Sequence, residues 1–100
     1  MVRQVMIEIL TFALRAGADV EQFIAVDSRV QANFAYQQPG LARRTTGRND
    51  RGRWLVLQVW TNEEAAAAAR TAIEASELGA EFTSMIDPDS VHREYFAGLD

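Results

Sequence analysis

The chain has 100 residues and a formal net charge of −4, with 48% hydrophobic and 24% charged residues. This length and balance predict a single globular domain over residues 1–100 and exclude a disordered chain. Every basic residue is an arginine. Because acidic residues outnumber these arginines, we expect no binding to nucleic acid or to an acidic membrane surface.

The absence of cysteine excludes disulfides and thiolate zinc sites, and it is typical of a cytoplasmic protein, which is the location we expect. Glu8 interrupts the apolar run from Val5 to Leu14, so the N-terminus does not read as a signal peptide. No apolar stretch approaches the roughly 20 residues of a membrane helix. With one histidine, His92, the chain offers few metal ligands, and we expect neither a metal nor a cofactor.

The first strand is predicted over Val5–Leu14, with apolar residues on both alternating faces. Asp19 then has the character of a helix N-cap, with Gln22 three residues on as in a capping box. Apolar residues recur at helical spacing to about Tyr36, and Pro39-Gly40 ends the helix. The residues of this helical stripe are Val20, Phe23, Ile24, Val30 and Phe34.

The second and third strands are predicted as a hairpin. Leu41–Arg48 is a strand with little apolar content, and Asn49–Gly52 connects it to the strand Arg53–Thr61, with Gly52 able to take a positive φ. The third strand carries two alternating sets of side chains. One set is Leu55, Leu57 and Val59, and the other is Trp54, Val56, Gln58 and Trp60.

A second helix is predicted after the third strand. It begins at a capping box over Thr61–Glu64, with Asn62 as the competing N-cap, and an alanine run extends it. We expect a break near Leu78-Gly79, a short helix ending at Met85, and a last strand over Val91–Ala97.

This β-α-β-β-α-β order is typical of the ferredoxin-like α+β fold, a four-stranded antiparallel sheet with helices on one face. We expect the uncovered sheet face to be apolar. Since a monomer seldom exposes a large apolar patch, we predict a homodimer with its two sheets packed face to face. The residues predicted on this uncovered face are Met6, Leu10, Phe12, Trp54, Val56 and Trp60.

Three segments of the sequence resemble the dimeric α/β-barrel superfamily, in particular the antibiotic biosynthesis monooxygenase-like domains. They are the turn Gln38-Pro39-Gly40-Leu41, the strand start Gly52-Arg53-Trp54 and the strand exit Val59-Trp60-Thr61-Asn62-Glu63-Glu64-Ala65. The resemblance spans nearly the whole chain. It implies the face-to-face dimeric barrel, and it identifies a fold better than an activity, because such folds host many functions.

The resemblance suggests two activities that individual positions can test. Cofactor-independent quinone-forming monooxygenases of this family carry an Asn within the third strand, a Trp at its end and a Tyr early in the second helix. This chain has Val56, Trp60 and Ala66 at those positions, so the hydrogen-bonding part of that site is missing. Haem-degrading relatives need a Trp and a His that fall here on small residues, near Ala69 and Gly79.

Asp27 is the first candidate for chemistry, because a carboxylate within an apolar helix stripe is costly unless it is paired. It is either an acid or base lining a pocket or, as we favour, the partner of an arginine in a structural ion pair. His92 is a weak candidate for proton transfer, and a solvated role is favoured for it.

Glu8 and Gln58 are the polar residues expected to face the barrel interior, where they would orient a small ligand among Phe12, Trp54 and Trp60. The simpler interpretation is that they hydrogen-bond each other or the facing subunit. Five arginines in the hairpin segment 43–53 form either an anion clamp or, as we favour, a charged sheet edge. Their positions are Arg43, Arg44, Arg48, Arg51 and Arg53.

RNA-recognition domains share this element order, and Arg51-Gly52 opens the third strand as in their signature. The base-stacking positions fall on Arg53, Leu55 and Met6, which are not aromatic, so this function is disfavoured. The sequence therefore predicts binding or modification of a small apolar or aromatic molecule, with cofactor-independent monooxygenase-like chemistry as the form an enzyme would take. The alternative is a non-catalytic dimeric module that binds a metabolite or partner.

Overall fold

A computed structural model describes residues 5–99, and these form an antiparallel sheet covered by helices. The strands are β1 (Met6–Ala13), β2 (Leu41–Arg48), β3 (Arg53–Trp60) and β4 (His92–Ala97), and the α-helices are α1 (Val20–Arg29), α2 (Glu63–Glu74) and α3 (Glu77–Ser84). The strand order across the sheet is β2-β3-β1-β4. The predicted ferredoxin-like α+β fold, with four antiparallel strands and helices on one face, is confirmed.

The first helical segment continues beyond α1, first as a wider π-helix and then as a tighter 3₁₀-helix. Asp19 caps it as predicted, by accepting a hydrogen bond from the backbone N–H of Gln22. After α1 the chain forms a π-helix over Val30–Phe34 and a short 3₁₀-helix over Ala35–Gln37. The segment therefore ends close to the predicted Tyr36, and its last half departs from regular α geometry.

The buried stripe of this segment differs in part from the predicted one. Phe23 and Val30 are buried as expected, and Val26 is buried with them. Val20 and Ile24, which we placed in the stripe, are exposed. The helix is rolled so that the side of Val26 faces the sheet, because Val26 lies one turn from both Phe23 and Val30.

The two faces of the sheet are the reverse of what the sequence analysis predicted. The helices cover the face that carries Phe12, Trp54, Val56 and Trp60, which pack against α1, α2 and α3. Met6 and Leu10 lie on this covered face as well. The error arose because every strand in question is apolar on both sides, so alternation separates two sets without saying which set meets the helices.

The uncovered face is still apolar at its centre, and we call it the open face. Its central side chains come from β1 and β3, where cross-strand pairing places them together and each is half-buried. The exposed Phe96 lies beside them on β4. The central residues of the open face are Ile7, Ile9, Leu55, Leu57 and Val59.

The second helical region breaks three residues earlier than predicted. Asn62 is the N-cap of α2 and accepts a hydrogen bond from the backbone N–H of Ala65. The break lies at Ala75-Ser76, and Ser76 caps α3 by accepting from the backbone N–H of Gly79. Serine is a strong N-cap, so α3 begins after Ser76 and Gly79 lies inside the helix, where it packs directly against Ile73.

The hairpin between β2 and β3 forms as predicted. Gly52 has a φ of 78°, and the side-chain oxygen of Asn49 accepts hydrogen bonds from the backbone N–H groups of Arg51 and Arg53. Over residues 5–99, no helix combines the length and apolar character that crossing a bilayer requires.

Candidate functional site

A cavity of about 620 Å³ lies between the sheet and the helices. Leu10, Val56 and Trp60 line it from the sheet, and Val30 and Phe34 line it from the π-helix. Small residues of the second helical region leave this space open. Those lining the cavity are Ala66, Ala69, Gly79 and Ala80. The volume falls within the range of pockets that hold small organic ligands.

A row of polar residues crosses the covered face of the sheet between apolar rows. Glu8 pairs with Gln58 on one side and with Tyr95 on the other, and Gln58 pairs with Arg44. The neighbouring row contains Leu10 and Val56. Because cross-strand partners point to the same side, the sheet presents a polar belt to the cavity floor.

Glu8 lies at the centre of this belt and is 7% exposed. Its Oε1 accepts hydrogen bonds from Gln58 Nε2 at 2.9 Å and from Trp60 Nε1 at 3.2 Å. Its Oε2 accepts one from the Tyr95 hydroxyl at 3.3 Å. A buried carboxylate is tolerated when its lone pairs are satisfied in this way, so the network fixes Glu8 in one orientation.

Two arginines approach the same carboxylate. Arg93 Nε lies 3.3 Å from Glu8 Oε2, and Arg70 Nη2 lies 3.8 Å from that oxygen. Burial lowers the pKa of Arg93, and the charge of Arg70 lowers it further, whereas Glu8 and Glu74 oppose this shift. We call Glu8, Gln58, Trp60, Arg70, Arg93 and Tyr95 the Glu8 cluster. All of its members except Tyr95 line the cavity.

Asp27 is joined to Arg44 by an ion pair of 2.8 Å between Oδ1 and Nη2. Thr46 Oγ1 donates to the same Asp27 oxygen at 3.1 Å, and Arg44 Nη1 donates to Gln31 Oε1 at 3.3 Å. Arg44 is buried, with 3% of its side chain exposed. This is the ion-pair arrangement favoured for Asp27, and it fastens α1 and the π-helix to β2.

The other predicted site residues are divided between the cavity and elsewhere. Glu8, Gln58 and Trp60 line the cavity together, but on the helix-covered side of the sheet and not on the side that was predicted to face the barrel interior. Phe12 and Trp54 lie beside the cavity in the core, where both rings pack against the ring of Phe23. His92 is exposed and pairs with Glu94 at 2.9 Å, and its pairing with Thr11 places it on the open face, away from the cavity.

The arginines of segment 43–53 do not converge on one point. Arg44 binds Asp27, and the guanidinium of Arg48 lies 5.3 Å from the centre of the Trp54 ring. Arg53 donates to Thr11 Oγ1 and to the backbone carbonyl of Ser90. Arg43 and Arg51 are exposed. The hairpin therefore lacks the shared geometry that an anion clamp needs.

Sequence reasoning missed Arg70, Arg93 and Tyr95. Arg93 and Tyr95 alternate with His92 and Glu94, so one of the two pairs had to face the helices, but the pairing of β4 with β1 was needed to decide which. Arg70 closes a run of alanines in α2. The one local signal for it is a single long cation at the end of a small-residue helix face, and this signal does not show which strand residue the cation reaches.

Comparison with solved structures shows the fold that this site is built on. A single-site mutant of SnoaB, a cofactor-independent oxygenase from Streptomyces nogalater, matches with a TM-score of 0.78 and 19% identity, covering 99% of this chain and 96% of that one. A protein from Chloroflexus aurantiacus, described as a candidate antibiotic biosynthesis monooxygenase, matches with a TM-score of 0.75, 12% identity and coverage of 96% and 94%. Rv0793 from Mycobacterium tuberculosis gives a TM-score of 0.71, 14% identity and 96% coverage of both chains.

The chain thus has the ferredoxin-like fold of antibiotic biosynthesis monooxygenase-like proteins, and the predicted resemblance is confirmed at the level of fold. No protein-family model and no curated protein matches the sequence. The three positions compared with quinone-forming enzymes, Val56, Trp60 and Ala66, all line the cavity. Among the residues that the structure describes, no three side chains of the metal-binding types come together.

Proposed function

We propose that the protein binds a small apolar or aromatic molecule in the cavity between its sheet and its helices. The observation that carries the proposal is the cavity itself, which is mostly apolar and in which the Glu8 cluster forms a hydrogen-bonded set of polar groups on the sheet side. Apolar walls supply affinity, and a few fixed polar groups supply orientation. Trp60 adds an indole ring whose N–H is held by Glu8 and whose position is therefore fixed.

The first test fills the cavity from α2. Ala69 is buried and lines the cavity, whereas Ala68 is exposed on the outer side of the same helix. We expect Ala69→Leu to weaken binding of a planar probe such as anthrone by at least about ten-fold, since a few added carbon atoms occupy space the ligand needs. Calorimetric titration of wild type and variant measures the change.

Ala68→Leu is the matched control, because it adds the same atoms to the same helix on the solvent side. It should leave the affinity for anthrone unchanged. Equal affinities for the two variants would place the probe outside this cavity, and a lack of binding to wild type by anthrone and by a panel of smaller aromatic compounds would contradict the proposal.

A measurement of turnover would show whether this protein is an enzyme or a binding module. SnoaB, which has the same fold, is a cofactor-independent oxygenase. The corresponding reaction here would oxidise a methylene of an aromatic ketone to a carbonyl, R₂CH₂ + O₂ → R₂C=O + H₂O. Val56 and Ala66 supply no hydrogen bonds in the cavity, which favours a binding module. Oxygen uptake with a phenolic anthrone, measured against the rate in buffer, distinguishes the two.

The open face supports a second part of the proposal, that the protein works as a homodimer through its sheets. The centre of this face is a continuous patch of branched apolar side chains, including Ile9, Leu55 and Leu57, each half-buried in one chain. Packing against a second copy would remove this patch from water, and apolar burial is the main source of stability in such interfaces.

Leu57 lies between Ile9 and Thr45 in the middle of the open face. We expect Leu57→Arg to dissociate the dimer, because an unpaired charge would be buried at its centre. Ile24→Arg, at an exposed position on α1, should leave the dimer intact. Sedimentation equilibrium measures both. A wild-type mass of one chain, 11.2 kDa, at micromolar concentration would contradict the dimer.

A further inference from the structure

The Glu8 cluster holds two cations against one buried carboxylate. Arg70 and Arg93 both approach Oε2 of Glu8, and the other oxygen is occupied by Gln58 and Trp60. Glu74 is the remaining charged group near Arg93, but it is exposed and has a weaker effect on the pKa of Arg93 than Glu8 has. Within the Glu8 cluster itself, two guanidiniums therefore share one carboxylate.

Arg70 also has a nitrogen without a hydrogen bond. Its Nη2 is buried, and within residues 5–99 no acceptor lies in hydrogen-bonding geometry with it. A buried donor without an acceptor is unfavourable, because it has given up its hydrogen bonds to water. The guanidinium lies 5.0 Å from the centre of the Tyr95 ring, which holds its plane in place. Arg70 is thus a fixed donor beside the cavity with unused capacity.

The charge of Arg70 also disfavours the charged form of Arg93, because it lowers the pKa of that residue. An anion placed between the two guanidiniums would relieve this repulsion and accept the unused N–H of Arg70. Arginine offers up to five donors in a planar fork that matches a carboxylate. Most of the remaining cavity wall is apolar, with Leu10, Phe82 and Ile86 among its residues.

From these observations we propose that the ligand is an aromatic carboxylate whose anionic group binds Arg70 and Arg93 and whose ring system occupies the apolar part of the cavity. This rests on the proposed function and specifies its ligand class. Glu8 does not compete for the site, since its own oxygens are already bonded within the cluster. Its role is to position both arginines.

The test compares two probes of nearly equal shape, naphthalene-2-carboxylate and naphthalene-2-carboxamide, by calorimetric titration. We expect the carboxylate to bind at least about ten-fold more tightly, the effect of one charge-assisted hydrogen bond. Arg70→Met and Arg93→Met keep much of the side-chain length without the charge, and each should reduce the preference for the carboxylate while leaving the affinity for the carboxamide within about two-fold.

Arg48→Met is the matched control, because Arg48 lies against Trp54 and outside the cavity, so the preference should persist. Equal binding of both probes to wild type would overturn the carboxylate proposal and leave the proposed function standing. A preference that survives both Arg70→Met and Arg93→Met would also overturn it. Binding of neither probe would contradict the proposed function. Circular dichroism confirms that each variant is folded, and either cavity variant alone suffices for the test.

Discussion

Replacing Asp27 by asparagine is expected to lower the free energy of unfolding by about 2 kcal/mol. The change keeps the shape and one acceptor oxygen but removes the charge that faces Arg44, whose side chain is only 3% exposed. A buried cation that loses its partner is destabilising, and Thr46 and Gln31 offer it neutral oxygens only. Urea denaturation at fixed protein concentration measures the change.

An exposed ion pair provides the control for Asp27. Arg29 and Glu81 pair across α1 and α3 with 49% and 41% of their side chains exposed. Glu81→Gln should therefore change stability by less than about 0.5 kcal/mol, as is usual for surface pairs. If the two variants lose equal stability, Arg44 does not depend on Asp27. A gain in stability for Asp27→Asn, with weaker ligand binding, would instead identify Asp27 as an isolated buried acid.

Replacing Gly79 by alanine is expected to be more damaging still, at about 3 kcal/mol. A β-carbon at this position would overlap the backbone carbonyl oxygen of Ile73 and press on its side chain. Backbone atoms of a neighbouring helix cannot rotate away as a side-chain end can. The junction between α2 and α3 would have to separate, and the cavity wall that both helices form would move with it.

Gly47→Ala is the control for Gly79→Ala, because a β-carbon on Gly47 would have open space around it and the residue has no positive φ. We expect its stability to be unchanged or higher by about 0.5 kcal/mol, since alanine restricts the unfolded chain. Thermal denaturation of the two variants compares them directly. Similar melting temperatures would show that α2 and α3 adjust freely at Gly79.

The order of elements was predictable because each depends on local signals. Asp19 and Asn62 are N-caps, Gly52 takes the positive φ of its turn, and the alternation of β3 separated Trp54 from Leu55. The covered face of the sheet was not predictable in the same way. Both sides of β1 and β3 are apolar, so the covered side is decided only by where the helices pack in the folded chain.

The part of the candidate site that depends on the pairing of β1 with β3 was predictable. Glu8 and Gln58 were expected to hydrogen-bond each other, and they do so because the antiparallel register places them opposite one another. Arg70 and Arg93 escaped prediction, since they reach Glu8 from a helix and from an edge strand whose placements are long-range features. The order of charged residues along the chain does not show which of them meet in the folded protein.

The π-helix at Val30–Phe34 has a consequence for how the length of this segment affects the cavity. The backbone N–H of Ala35 donates to the carbonyl of Val30, five residues earlier, so one more residue fits into the turn than an α-helix allows. Each residue of an α-helix advances the chain by about 100° around its axis. Because the wider turn takes up the extra residue, a homologue one residue shorter here would wind as a regular α-helix with the flanking turns still facing the same sides, so this wall of the cavity tolerates a single-residue gap within Val30–Phe34 in an alignment.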